Sequence, residues 1–223
     1  MERMETLEDP EAWLRAAEQA VLDAALIRAP ALGWTAAMAG AAGADAGFTP
    51  GETGLIVPHG PADLAALLSR RHDAAALAAL PDPAGLKIRE RIRAAVLARL
   101  EAAAADAPAV RRCSGWLALP PNAAQGLSLA WESADALWRW AGDVAADENH
   151  YSKRAILAGM LVTALAVRLQ QGEAEAEAYV DARIANVMAF EAWKAKLKPG
   201  EPLRRAAELL GRLMYGAPVS PRG

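Results

Sequence analysis

The chain has 223 residues, 54% of them hydrophobic and 23% charged, with a formal net charge of -3 at pH 7. That length can bury a substantial core as one domain or two, and the slight acidity excludes a general attraction to nucleic acid, so polyanion binding would need a local basic patch. Arg, Asp or Glu interrupts each long apolar run before the roughly 18 residues that a spanning helix needs, and the lone Cys113 excludes an intrachain disulfide or a zinc site built from several cysteines.

The hydrophobic excess is largely alanine, which favours helix, and a helical period recurs from end to end without sustained β-branched alternation. The fold class expected is therefore all-α. Met1-Glu2-Arg3-Met4-Glu5, followed by Glu8 and Asp9, lacks the basic start and apolar middle of a secretory signal, so a bacterial cytoplasmic protein is expected. Predicted helices run over Pro10–Ala29, Thr35–Ala42, Gly51–Val57, Pro61–Leu80, Leu86–Ala104, Pro108–Leu117, Ala123–Ala141, Tyr151–Gln171, Ala174–Leu197 and Pro202–Tyr215. Pro and Gly clusters separate them, as at Pro58-His59-Gly60-Pro61, Pro81-Asp82-Pro83 and Pro199-Gly200.

The first four predicted helices, one long, two short and a fourth opening at a proline, resemble the helix-turn-helix domain of tetracycline-repressor-type regulators. In such domains the second short helix enters the major groove while neighbouring elements hold phosphates. Here no Lys or Arg lies between Arg28 and Arg70, and the would-be recognition segment reads Pro50-Gly51-Glu52-Thr53-Gly54-Leu55-Ile56-Val57. An acid and two glycines would repel phosphate and read few base edges, so the scaffold is expected without DNA binding.

No Gly-x-Ser-x-Gly elbow, phosphate loop, dinucleotide fingerprint or His-Glu-x-x-His motif occurs. His59 lies in a Pro/Gly turn, His72 in an Arg-flanked helix and His150 beside Asp147, which makes a single ligand pair. We expect no catalytic residue, metal or cofactor. Cys113 reads as a buried small hydrophobe.

Polar residues concentrate in Gly142–Arg154, between an apolar helix carrying Trp131, Leu137, Trp138 and Trp140 and another carrying Ile156, Leu157, Met160, Leu161, Leu165 and Leu169. The run is either a capped connection or a presented surface. The flanking apolar helices are either ordinary core or the walls of a lipid cavity, with Ala155, Ala158, Gly159, Ala164 and Ala166 leaving room between them. Beyond Pro199-Gly200, the predicted helix at 202–215 sets Leu203, Ala206, Ala207, Leu210, Leu213 and Met214 on one face and Arg204, Arg205 and Arg212 on the other. Such a helix lies in a membrane interface or packs on the body, and Lys194, Lys196 and Lys198 would assist contact with anionic lipid.

These residues together resemble the ubiquinone (coenzyme Q) biosynthesis protein nine family in a bacterial member. The resemblance rests on Gly33-Trp34-Thr35, the stretch Leu86–Arg93, Arg99-Leu100-Glu101, Leu119-Pro120 with Asn122, Asp135 with Trp138, and above all Gly142-Asp143, Asp147, Asn149, Tyr151, Lys153 and Arg154. Where the family has Phe-Asn-Trp-Tyr, this chain has Glu148-Asn149-His150-Tyr151.

The resemblance implies a tetracycline-repressor-like fold that is not an enzyme: a lipid-binding accessory protein presenting isoprenoid quinone intermediates to the di-iron demethoxyquinone hydroxylase. Its implied address is cytoplasmic, peripheral to the inner membrane, and related scaffolds pair through their last helices, so a homodimer is expected. Residues 10–80 are expected to form the helix-turn-helix-like region, 86–198 the lipid-binding and dimerisation body, and 202–215 the membrane helix.

The implied partner surface comprises Trp138, Asp143, Asp147, Asn149, His150, Tyr151, Lys153 and Arg154, the lipid site Leu157, Met160, Leu161 and Leu165, and the membrane face Leu203, Arg204, Arg205, Leu210, Arg212, Leu213 and Met214. The rival reading is a tetracycline-repressor-type regulator with an apolar effector.

Overall fold

The computed structural model describes residues 9–143 and 148–196. Those residues form nine α-helices and one 3-10 turn, with no strand: α1 Pro10–Leu32, α2 Ala36–Asp45, α3 Pro50–Ile56, α4 Pro61–Ala79, the turn Pro83–Gly85, α5 Ile88–Ala104, α6 Ala107–Leu117, α7 Ala123–Trp140, α8 Glu148–Gln171 and α9 Glu173–Lys196. The all-helical architecture is as expected, and it is consistent with a tetracycline-repressor-like bundle. The chain divides into two compact units, residues 1–181 and 182–223. Within the second unit, 182–196 are helical.

Local chemistry explains the helix ends. Asp9 accepts from the Glu11 and Ala12 amides at 3.0 and 3.1 Å, and Pro10 follows as the first helical residue, where its missing N–H costs nothing. The helix continues through Pro30 to Leu32, a turn beyond the predicted end at Ala29. Arg112 Nη2 donates to the Pro30 carbonyl at 3.0 Å, so the proline's acceptor stays satisfied. Thr35 caps α2, and Thr49 with Glu52 forms a reciprocal capping box on α3. Helices α2 and α3 approach so closely that a Cβ on Gly43 would stand 2.1 Å from Thr53 Oγ1, which makes glycine obligatory there.

Val21, Leu22, Ala25, Met38, Ala42, Leu64 and Leu68 pack with Val110, Cys113 and Leu129, so α1 to α4 share one core with α6 and α7. Trp34 locks the α1–α2 corner, 2% exposed and donating from Nε1 to the Pro61 carbonyl at 2.8 Å. Val96, Leu137, Leu157, Ala164 and Val180 are buried where α5, α7, α8 and the first half of α9 lie. Arg93 ties α5 to α9 through Asp181 at 2.6 Å and Glu177 at 3.2 Å.

Candidate functional site

Two features follow from this packing: a polar corner where α7 ends, and a cavity bounded by α4 to α8. At the corner, the Gly142 amide donates to the Arg139 carbonyl and the Asp143 amide to the Trp138 carbonyl, each at 3.0 Å. This is a Schellman closure, with Gly142 at φ +91°. Arg91 of α5 completes it, donating from Nη1 to the Ala141 carbonyl at 2.7 Å while its Nε holds the Leu86 carbonyl at 2.9 Å. The Leu86–Arg93 stretch and the Gly142-Asp143 pair, far apart in sequence, therefore meet in one structure.

Arg154 departs from the expectation of a presented surface. It is 1% exposed, donating from Nε to Asp135 Oδ1 at 2.5 Å, with Nη1 3.5 Å from Asp143 Oδ2. A guanidinium without water needs fixed carboxylates, and α7 together with its cap supplies two. Arg154 is thus an internal strut between α7 and α8. Asp143 is itself largely buried, and its Oδ2 has no hydrogen-bond partner among the described residues.

Lys153 stands 5.5 Å over the Trp138 ring with its Nζ 3.4 Å from Asp143 Oδ1, and Trp138 Nε1 donates to the Lys153 carbonyl at 3.2 Å. Outside this layer Tyr151 is 65% exposed and stacks on Trp131 with ring centroids 6.2 Å apart. Sequence reasoning placed Trp131 on the helix but not in the site, because only the α7–α8 packing brings it to Tyr151. Helix α8 begins at Glu148, a turn before the predicted start, so Asn149 and His150 belong to its first turn. Asp147, the side chains of Asn149 and His150, and Leu203, Arg204, Arg205, Leu210, Arg212, Leu213 and Met214 lie outside the described residues.

The cavity has a volume of about 770 Å³, within the size range of small-molecule pockets. Leu68, Leu100, Cys113, Leu129 and Leu161 form its buried wall. Its mouth lies between α6, α7 and α8, where Gly115, Ala118, Leu127, Val162 and Ala166 are exposed. Alanine and glycine at these positions leave space that larger side chains would fill. Of the four predicted lipid residues, Leu161 and Leu165 line the cavity. Leu157 and Met160 do not; both are buried on α8 away from that lining, because their turn of the helix packs into the protein.

Polar side chains interrupt the apolar wall: Ser69, His72, Arg99 and Ser133, together with Arg111, Ser114 and Gln170. None was predicted as a site residue, since they carry no shared motif. Arg99 Nε donates to Asp73 Oδ1 at 2.5 Å, and Ser133 Oγ donates to Asp73 Oδ2 at 2.9 Å. His72 is buried with Nε2 2.9 Å from Asp106 Oδ2. Burial pushes its pKa below the ordinary histidine value despite that carboxylate. Burial likewise pushes the Cys113 thiol up to about 12, leaving it no appreciable thiolate at neutral pH.

Among the described residues no three His, Cys, Asp or Glu side chains group as a metal site. None of their helices is long and apolar enough to cross a membrane. On α3 the exposed residues include Gly51, Glu52, Gly54 and Leu55, with no cation to meet a phosphate.

These features define a helical protein with a large apolar cavity and an aromatic surface beside it. Residues 123–191 match the COQ9 family model, which takes in α7, α8 and most of α9. Over 75 residues, 32% of this chain, it is 37% identical to the rat protein named "Ubiquinone biosynthesis protein COQ9, mitochondrial". It is 35% identical over 75 residues to the bovine protein of the same name. The chain spans about a quarter of the length of these curated relatives, 24% in each case. The likeness to the COQ9 family thus covers the segment that carries the polar corner and the α8 wall of the cavity.

Proposed function

We propose that this protein is a lipid-binding accessory factor of ubiquinone biosynthesis, without chemistry of its own, that holds an isoprenoid quinone intermediate and presents it to a hydroxylase at the membrane. The observation that carries the reading is the 770 Å³ apolar cavity opening beside α7 and α8, the helices over which the chain matches the COQ9 family. A long isoprenoid tail leaves water at a large free-energy gain, so an enzyme handling its head is served by a protein that shields the tail. The Tyr151–Trp131 pair supplies an exposed aromatic anchor of the kind that dominates docking interfaces. Segment 202–215 supplies, by its sequence pattern, an amphipathic membrane contact, and the protein acts as a homodimer.

The test is gentle purification followed by native mass spectrometry and lipidomics. Enrichment of isoprenoid lipid over a control supports the reading, and an empty protein overturns it. Liposome flotation before and after truncation at Pro199 tests the membrane contact, with loss of flotation expected. The rival regulator would use the same cavity for an effector; salt-sensitive binding to a palindromic duplex would favour it.

A further inference from the structure

We propose that Ser69, Arg99 and Ser133 form a head-group subsite on the cavity wall that selects a neutral, hydrogen-bond-accepting ring, such as a quinone or phenol, over an anionic head. The inference rests on the reading of the cavity as an isoprenoid site and adds which end of the ligand it recognises and by what chemistry.

The hydrogen-bond inventory leaves donors available. Arg99 spends Nε on Asp73 Oδ1 and Nη2 on the Ser69 carbonyl and hydroxyl, at 3.4 and 3.3 Å. Its Nη1 makes no hydrogen bond among the described residues. The Ser69 hydroxyl accepts from Arg99, and its own proton is donated to no group among them. Ser133 is oriented by Asp73 Oδ2. Ser69 and Arg99, which carry the available donors, line the cavity, whereas Asp73 and Asp106 stand behind the lining. A ligand meeting this wall therefore finds N–H and O–H groups directed by buried acceptors, in the midst of apolar carbon.

Charge decides which head fits. At this wall two carboxylates, Asp73 and Asp106, stand against the guanidinium of Arg99, while burial holds His72 toward its neutral form; Arg111, the other guanidinium on the lining, is exposed and donates to the Leu169 carbonyl. A carboxylate or phosphate entering here would be an uncompensated buried anion. A quinone carbonyl or ring oxygen adds no charge and accepts from the free donors, and hydrogen bonds from a charged donor exceed neutral ones. The ring enters first to meet this wall, and the tail follows toward the exposed Leu127 and Val162.

The test compares three probes on the full chain at pH 7.5: a benzoquinone bearing a two-isoprene tail, the same prenyl chain as a hydrocarbon, and the same chain ending in a carboxylate. The quinone is expected to bind about tenfold tighter than either of the others. Ser69→Ala should erase most of that advantage. Equal binding of quinone and hydrocarbon, unaltered by Ser69→Ala, would overturn the subsite and leave the lipid cavity standing. Carboxylate binding as tight as the quinone would overturn the selection for a neutral head. If no probe binds, the cavity reading itself fails, and the subsite with it.

Discussion

Arg91 and Gly142 form a single device. The Arg91 guanidinium closes the end of α7 by donating to the Ala141 carbonyl, and a Cβ on Gly142 would stand 3.2 Å from the same nitrogen. Gly142 also holds φ +91°, a conformation that L side chains rarely adopt. Gly142→Ala should therefore destabilise the protein by about 1–2 kcal/mol, read as a lowered urea midpoint. Arg91→Ala removes the close approach but leaves the φ strain, so in the double variant the two costs should fall short of additivity.

Arg154 yields a sharper prediction. Arg154→Met removes the buried cation shared by Asp135 and Asp143, which keep only the more exposed Arg139 and Lys153, and breaking such a buried pair costs about 3–5 kcal/mol. Chemical denaturation should show the loss. Tyr151→Ala, at an exposed position, should cost less than about 1 kcal/mol while weakening support of the hydroxylase in quinone profiling of a complemented deletion strain. Equal destabilisation by both variants would make the corner purely structural.

The buried His72 predicts a pH dependence. Its pKa in the folded protein lies below the ordinary histidine value, chiefly through burial, with Arg99 lowering it further and Asp106 and Asp73 opposing. The unfolded chain therefore binds a proton first as the pH falls. The contribution to stability is complete above about 6.5 and is lost from there down through the folded value. Urea titrations between pH 7.5 and 5 should show this loss, and His72→Asn should flatten it.

Cys113 supplies a chemical readout. With its thiol raised to about 12 and its side chain within the core, iodoacetamide at pH 8 should leave the native protein unmodified over hours. One adduct should form rapidly in denaturant. Intact mass measures both, and brisk alkylation of the native protein would show that the cavity wall opens.

The helices were legible in the sequence because their cause is local. Apolar residues recur at helical spacing, and Asp9, Thr35 and Thr49 stand where caps are needed. Even the displaced boundaries have local causes. Proline removes one donor and can be passed, as at Pro30, and polar residues such as Asn149 are as acceptable in a first helical turn as in a connection.

The site divides differently. Periodicity marked Leu161 and Leu165 as inward-facing, but it marked Leu157 and Met160 in the same way, because burial and exposure to an internal void give one pattern along a helix. Whether neighbouring small residues collapse or leave 770 Å³ open depends on how five helices cross. The polar run and the family resemblance placed Arg154 on a presented surface; its burial depends on Asp135, a carboxylate on another helix. Ser69, Arg99 and Ser133 lie on three helices and carry no shared motif, so only packing reveals that they face one space. The all-helical class, the helix ends and the poverty of cations near α3 thus follow from composition and short-range spacing. The cavity, the strut and the donor wall arise from contacts between residues distant in sequence, which no local pattern encodes.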